Sequence, residues 1–364
     1  MVAHLAQEFK ASGHQVKIVT NRYPRSLPAK EVVEGIPVER LFFILPQRKN
    51  LVHSRVDLWL AGCWYQFYTR WQLQKIIEQF QPDVINNHYL NEVAEFTGRC
   101  LERSNQRIPW VISLHGGDVD GEPTLSPRKL QRFRQWSGKA DRLTACSRFL
   151  ADQAEATAPE PEGRIQVIHN GVEISRFSDA VPSMTDNQYI LAVGQLVKHK
   201  GFDFLIRAFA VLDQRFRDVQ LWIAGEGEQR HTLEELISQK HLENRVRLLG
   251  TVDENKVASL MAGSLFVAMP SFREPFGIVA LEGMASGKLV LASTVGGLSE
   301  FIPAPPNKLV QLDQSAWVAA MEDWLELALQ GKLAAPMNQQ HASRFDWPKV
   351  AEQYLQVYRS IPLG

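Results

Sequence analysis

Twelve short apolar runs, each closed by turn residues and separated by stretches of helical period, leave this chain little room for any fold but parallel βα units. In the first half the runs are QVKIVT, IPVERLF, DVINNHY, PWVISLHGGD, RLTACS and IQVIHNGV; in the second they are YILAVGQL, VQLWIAGEG, VRLLGTV, LFVAMPS, KLVLASTVGG and KLVQL. Several end in Gly, Ser, His or Asn, and in open α/β sheets ligands bind in the crevice outside the carboxyl ends of the strands. At 364 residues the chain exceeds one ordinary core, so two α/β domains are expected. Stretch 175–188, SRFSDAVPSMTDNQ, is polar and aperiodic and reads as the hinge. The expected division is therefore a first domain at 1–175, a second at 188–345 and a tail at 346–364.

Composition removes several classes of function. Forty basic and forty acidic residues balance, which argues against a nucleic-acid binder held by counterion release. The first eighty residues hold eleven basic and six acidic side chains, a mild excess. Cys63, Cys100 and Cys146 are far apart and lack CxxC spacing, so neither a disulfide framework nor a zinc site is suggested. No metal or other cofactor is expected. No run approaches the ~18 apolar residues of a membrane span, and the N-terminus lacks a signal-peptide pattern, so the expected location is cytoplasmic. The aromatic-rich stretch 56–77, VDLWLAGCWYQFYTRWQLQKII, reads as a buried helix of the first domain. Its flanking Arg48, Lys49 and Arg55 keep open a helix lying on the inner face of a membrane.

The chemistry concentrates in stretch 271–287, SFREPFGIVALEGMASG, where Glu274 sits in a turn and Glu282 follows inside a helical pattern. The first N–H groups of such a helix have no intrahelical partner and, with the helix dipole, suit phosphate. A carboxylate there would repel phosphate, so the two glutamates are expected to address hydroxyl groups of the same ligand. Phosphates flanked by polyol rings describe a nucleotide sugar. Taken singly, Glu274 reads as a helix cap and Glu282 as a solvated charge. Three further strand ends support the ligand reading. Lys200 beside Gly201 can meet a diphosphate as a point charge, Gly225 and Gly227 permit close backbone approach, and Gly296 with Gly297 forms a turn that could face phosphate. In the first half, His115, Gly116 and Asp118 follow an apolar strand and point to a site; Asp118 reads equally as a cap. His88 and Asn170 are strand-end candidates whose alternative is loop hydrogen bonding.

These motifs, in order and nearly in spacing, resemble the family 4 retaining glycosyltransferases of the GT-B fold. The resemblance rests on VGQLVKHKGFDFLIRAF, IAGEGE, LLGTV, MPSFREPFGIVALEGMASG and STVGGLSEFI, and extends through VISLHGGD and the tail FDWPKVAEQYLQVYRS to nearly the whole chain. It implies two Rossmann-like, doubly wound parallel-sheet domains facing across a cleft, with the tail helix crossing back to the first. It further implies transfer of a sugar from a nucleotide-diphosphate donor to a glycan, lipid-linked or small-molecule acceptor, with retention of configuration and without a metal. By resemblance Glu274 lies beside the transferred sugar and Glu282 holds the ribose. Gly194, Gln195 and Gly225 line the donor site, Phe276, Gly277 and Ile278 present backbone N–H groups to the phosphates, and Lys200 neutralises the leaving diphosphate. His115, Gly116, Asp118 and Asn170 face the acceptor side, with His115 among the catalytic groups. The family's opening strand and Gly-rich loop have no counterpart here, and the expectation is that the reading frame continues upstream with both. A non-catalytic scaffold that binds sugar or a partner protein is the alternative.

Where the family commonly carries Arg, this chain has Gln195, whose amide donates hydrogen bonds but balances no charge. Gln195→Arg is expected to tighten binding of the nucleoside diphosphate product at low salt. Unchanged affinity by titration calorimetry would put residue 195 outside the phosphate site.

Overall fold

The computed structural model describes all residues except 45–55, 105, 120–125, 159–162, 184, 186, 336 and 363–364. The chain forms two compact units, Met1–His169 with Val350–Gly364, and Asn170–Lys349. The second unit is built on one sheet of β8 (Tyr189–Val193), β9 (Gln220–Ala224), β10 (Val246–Gly250), β11 (Phe266–Met269), β12 (Leu289–Ser293) and β13 (Lys308–Val310). Their spatial order is β10-β9-β8-β11-β12-β13 and every pair is parallel. This is the doubly wound order in which the winding reverses beside the first strand, so the crevice expected for a ligand opens between the ends of β8 and β11. Both faces of the sheet are covered, which is why β11 and β12 read as unbroken apolar runs and are buried at every position. Helix Phe202–Phe209 buries Phe202, Leu205, Ile206 and Phe209, the spacing of one helical face. That face shares a core with Leu221 and Ile223 of β9 and with Trp317, Met321 and Trp324 of helix Gln314–Leu329.

The domain boundary falls earlier than the polar stretch 175–188 suggests. Val172 N donates to Phe345 O at 2.9 Å, and Gly171 lies against the Trp347 indole so closely that a Cβ would come within 2.5 Å of the ring. Helix Ile174–Ser178 buries Phe177, and Ser183 N donates to Ser259 O at 3.0 Å. These contacts bind the segment to the second unit, so it does not form a free hinge at its start.

The first unit holds a parallel sheet of β4 (Ile85–His88), β5 (Trp110–Leu114), β6 (Arg142–Ala145) and β7 (Ile165–Val167). A separate three-stranded sheet has the order β1-β3-β2, with β1 (Ile18–Asn21) parallel to β3 (Ile36–Leu41) and β2 (Lys30–Val33) antiparallel to it. The β2–β3 hairpin escaped the count of apolar runs because β2 is almost wholly exposed. Its signal is the pair Glu34-Gly35: both residues have positive φ, 50° and 76°, as a tight two-residue hairpin turn requires. Both sheets pack on the same helices. Leu41 and Phe43, with Val19 and Ile85 beside them, meet Leu73, Ile76 and Ile77 of helix Val56–Phe80 and Phe96 of helix Glu92–Leu101. Helix Val56–Phe80, expected as a buried helix, is thus buried on one face, while its outer face is exposed. In the tail helix Trp347–Arg359, Tyr358 packs on Phe9 and its hydroxyl accepts from Asn86 Nδ2 at 2.8 Å. Among the described residues no helix is long and apolar enough to cross a membrane.

The glycines after β9 serve the fold directly. A Cβ on Gly225 (φ 147°) would lie 1.9 Å from Gly194 O, and one on Gly227 2.4 Å from Leu196 O, because the loops after β8 and β9 run backbone against backbone. Gly225→Ala is expected to destabilise the protein by more than ~2 kcal/mol, since both the backbone angle and the contact resist a side chain. A melting temperature equal to the parent's would contradict this packing.

Candidate active site

At the end of β11 the carboxylate of Glu274 is only 6% exposed. Lys200 Nζ lies 2.6 Å from Glu274 Oε2, and Ser271 Oγ donates to the same oxygen at 3.3 Å. Ser271 is itself anchored, its carbonyl accepting from Ser293 Oγ of β12 at 2.5 Å. Lys200 ends the short 3-10 turn Lys198–Lys200 after β8, and its stem passes 3.9 Å from where a Cβ on Gly194 would stand. Gly201, at φ 70°, presses on the carbonyl of Pro270, and Phe272 N donates to His199 O at 2.8 Å. The loops after β8 and β11 are therefore joined on both sides of the ion pair.

The loop after β12 completes the cradle. Gly296, at φ 60°, sits so close to Glu274 that a Cβ would fall 1.8 Å from its carbonyl oxygen, and Gly297 N donates to that oxygen at 3.1 Å. From the sequence, a phosphate is the expected neighbour of this Gly-Gly turn. In the structure it holds the backbone of Glu274, and the Gly297 N–H is engaged there.

Helix Ile278–Ala285 begins at Gly277, which has φ 102° and no capping side chain. Phe276 is buried and stacked on Phe301, with centroids 4.4 Å apart. Its helix start thus offers N–H donors and the positive end of the dipole beside Lys200 and Glu274. Glu282 lies one turn inside the helix and is half-buried. Burial pushes its carboxyl up to about 7, with the charge of Arg176 acting in the opposite direction. Gln195 is exposed after β8. The structure thus gathers Gly194, Lys200, Glu274, Phe276, Gly277, Ile278 and Glu282 around one switch point, with Gly225 supporting the neighbouring loop.

The first unit carries a second polar cluster. His115, after β5, places Nε2 3.0 Å from His88 Nδ1 at the end of β4, and the two rings stack at 12°. His115 Nδ1 is buried and has no hydrogen-bond partner. Burial holds His88 down at about 4 and His115, with His88 beside it, at about 3, so both rings are neutral near pH 7. Asp118 is buried and accepts from His115 N at 2.8 Å and Leu90 N at 3.1 Å. Burial raises its carboxyl to about 6, against these backbone donors. Asp118 therefore ties down backbone N–H groups that precede it and does not cap the next helix, whose N-cap is Ser126. Gly116 adds its own N–H to that carboxylate. Asn170 is buried at the first residue of the second unit.

Sequence reasoning missed the layer beneath this cluster. Asn86 Oδ1 accepts from Ser113 Oγ at 2.9 Å and Ser113 Oγ accepts from Thr144 Oγ1 at 2.9 Å, with the Tyr354 hydroxyl lying beside these two hydroxyls. The available signal was polar side chains inside otherwise apolar strands. Tyr89, with φ 70°, brings its ring 4.9 Å from that of His115. Among the described residues no group of three or more His, Cys, Asp or Glu is placed to hold a metal ion.

Residues 1–176 match the family described as Glycosyltransferase Family 4, and residues 174–343 match Glycosyl transferases group 1. A glycogen synthase of Mycobacterium tuberculosis is 30% identical across 100% of this chain and 91% of its own length. The chain belongs to the group 1 glycosyltransferases. It is a transferase, and the non-catalytic scaffold is not favoured. Sucrose-phosphate synthase of Thermosynechococcus elongatus has the same fold, with a TM-score of 0.79 at 22% identity over 98% of this chain and 92% of that one. Anabaena HepE, solved in complex with UDP-glucose, gives 0.72 at 23% identity over 90% and 86%. The fold class is therefore GT-B, α/β with parallel sheets.

The ion pair makes a direct prediction for this glycosyltransferase. Lys200→Met leaves the buried Glu274 carboxylate without its cation and is expected to cost ~3 kcal/mol or more. Adding Glu274→Gln should recover part of that loss. Thermal unfolding of the two single variants and the double variant checks it, and strictly additive effects would deny the coupling.

Proposed function

We propose that this glycosyltransferase binds a nucleoside-diphosphate sugar at the β8–β11 switch point and transfers the sugar, with retention of configuration, to a hydroxyl of a glycan, lipid-linked or small-molecule acceptor. The observation that carries the reading is the Lys200–Glu274 pair beside the uncapped start of helix Ile278–Ala285, with Glu282 one turn inside. Gly277 and Ile278, with Phe276, present N–H groups to the diphosphate, and Lys200 meets the negative charge that develops on it as the glycosidic bond breaks. This donor set suits a metal-independent reaction. The charge on Lys200 is shared, so Glu274 holds the ammonium in place and accepts from a hydroxyl of the transferred sugar. Glu282 accepts from the ribose hydroxyls. The leaving phosphate takes the proton of the acceptor hydroxyl on the face it departs from, which retains configuration. His115, neutral and with Nδ1 unpartnered, gives the first unit an atom available for a ligand hydroxyl. Asp118 fixes the backbone that carries it. The UDP-glucose bound to the Anabaena protein supports a nucleotide sugar of this kind.

A panel of nucleotide sugars, scored for nucleoside diphosphate release with and without acceptors, tests the reading; the anomeric configuration of the product, by NMR, tests retention. Glu282→Ala should weaken donor binding by about 1.5 to 3 kcal/mol, whereas Glu274→Ala should mainly lower kcat. A pH dependence follows from the raised carboxyl of Glu282. Only the ionised form can accept both ribose hydroxyls, so donor affinity is full above about pH 7 and falls as pH drops through it. Glu282→Gln should flatten that profile. Parental rates, affinities and pH profile in all these variants would reduce the two glutamates to structural charges.

A further inference from the structure

Helix Val56–Phe80 is apolar on both faces, although only one has a protein partner. Thr69, Leu73, Ile76 and Ile77 are buried on the inside. On the outside Leu60 is 56% exposed, Trp64 59%, Phe67 71%, Tyr68 41% and Trp71 58%. Their spacing puts all five on one stripe, which at 1.5 Å per residue runs for ~17 Å. The rings are ordered in series: Trp64 stacks on Tyr68 with centroids 5.1 Å apart, and Tyr68 on Trp71 at 6.0 Å. Single exposed apolar side chains are ordinary, but a continuous aromatic stripe marks a surface that is covered in use.

The rim of the stripe says what covers it. Arg70 lies over the Phe67 ring at 5.5 Å, and Lys75 over the Trp71 ring at 5.5 Å. Burial and the nearby positive charges of Arg103 and Arg99 hold the Arg70 guanidinium below its ordinary value. Protein interfaces are depleted in Lys, whereas Trp and Tyr bordered by Lys and Arg are what the headgroup region of a bilayer selects. Long cationic side chains keep their charge among phosphates while their stems lie on apolar surface.

We propose that this stripe seats the first unit on a membrane bearing anionic lipid, with Trp64, Phe67 and Trp71 at the acyl boundary and Arg70 and Lys75 among the lipid phosphates. The helix lies in the interface and does not cross it. The proposal deepens the acceptor side of the function above, since a protein held there reaches acceptors displayed on lipid, yet it does not depend on the donor reading. Its readout needs no sugar transfer.

The 364-residue chain is sedimented with vesicles of phosphatidylcholine alone and of phosphatidylcholine mixed with phosphatidylglycerol. Binding to the anionic vesicles is expected to exceed binding to the neutral ones, and to weaken as salt is raised. The triple variant Trp64→Ser, Phe67→Ser, Trp71→Ser should lose vesicle binding about tenfold or more, with its melting temperature kept because these side chains are exposed. Arg70→Gln with Lys75→Gln should remove the preference for anionic lipid. The proposal is overturned if the parent stays in the supernatant, or if the triple variant sediments as the parent does. A concentration-dependent dimer abolished by the triple variant would also overturn it, making a second copy of the chain the occupant.

Discussion

The carboxylate of Glu274 is the constraint on which the second unit's functional end depends. A charge this deeply buried is tolerated only when paired and hydrogen-bonded, and its partners come from separate loops. Lys200 arrives from the loop after β8, Ser271 from the end of β11, and Ser293 of β12 holds Ser271. Gly296 and Gly297 then grip the Glu274 carbonyl. Because each of these contacts follows a different strand, the parallel register of the sheet sets the geometry of the pair. A transferase needs charges placed before the reaction begins, and this arrangement places one without leaving it free to reorient.

The first unit meets burial differently. Around His115 the polar groups are kept neutral or tied to backbone: two histidine rings share one hydrogen bond, and Asp118 serves main-chain N–H groups. Asn86, Ser113, Thr144 and Tyr358 form a hydrogen-bonded layer beneath them, with the Tyr354 hydroxyl beside it. Satisfied networks of this type are rigid, and His115 Nδ1, buried beside this one without a partner, stands out chemically. The tail helix contributes Tyr358 to this layer and places Tyr354 beside it, so the end of the chain supports a site read from its middle.

Much of the second unit was legible because its strands are buried on both faces and therefore appear as uninterrupted apolar runs. The helix start at Gly277 and the place of Glu274 in a turn were legible for another reason: cap and turn chemistry is local. The exposed strand β2 was not, since only the Glu34-Gly35 turn distinguished it from a loop. The boundary at residue 170 was missed because polarity is a local property, whereas attachment of 170–183 to the second unit depends on Trp347, Phe345 and Ser259, all remote in sequence.

The sequence by itself determined the class of sheet and the family, since period, turn residues and spaced motifs are carried by neighbours along the chain. Only the tertiary structure decided that Lys200 pairs with Glu274, that Gly296 supports that residue, and that His88 meets His115. It also decided which face of helix Val56–Phe80 is covered, because a helix apolar all round carries no internal mark of its inner side. Each of these facts is a contact between strand ends or helix faces far apart in the chain, and such contacts come into being only when the sheet order and register bring them together.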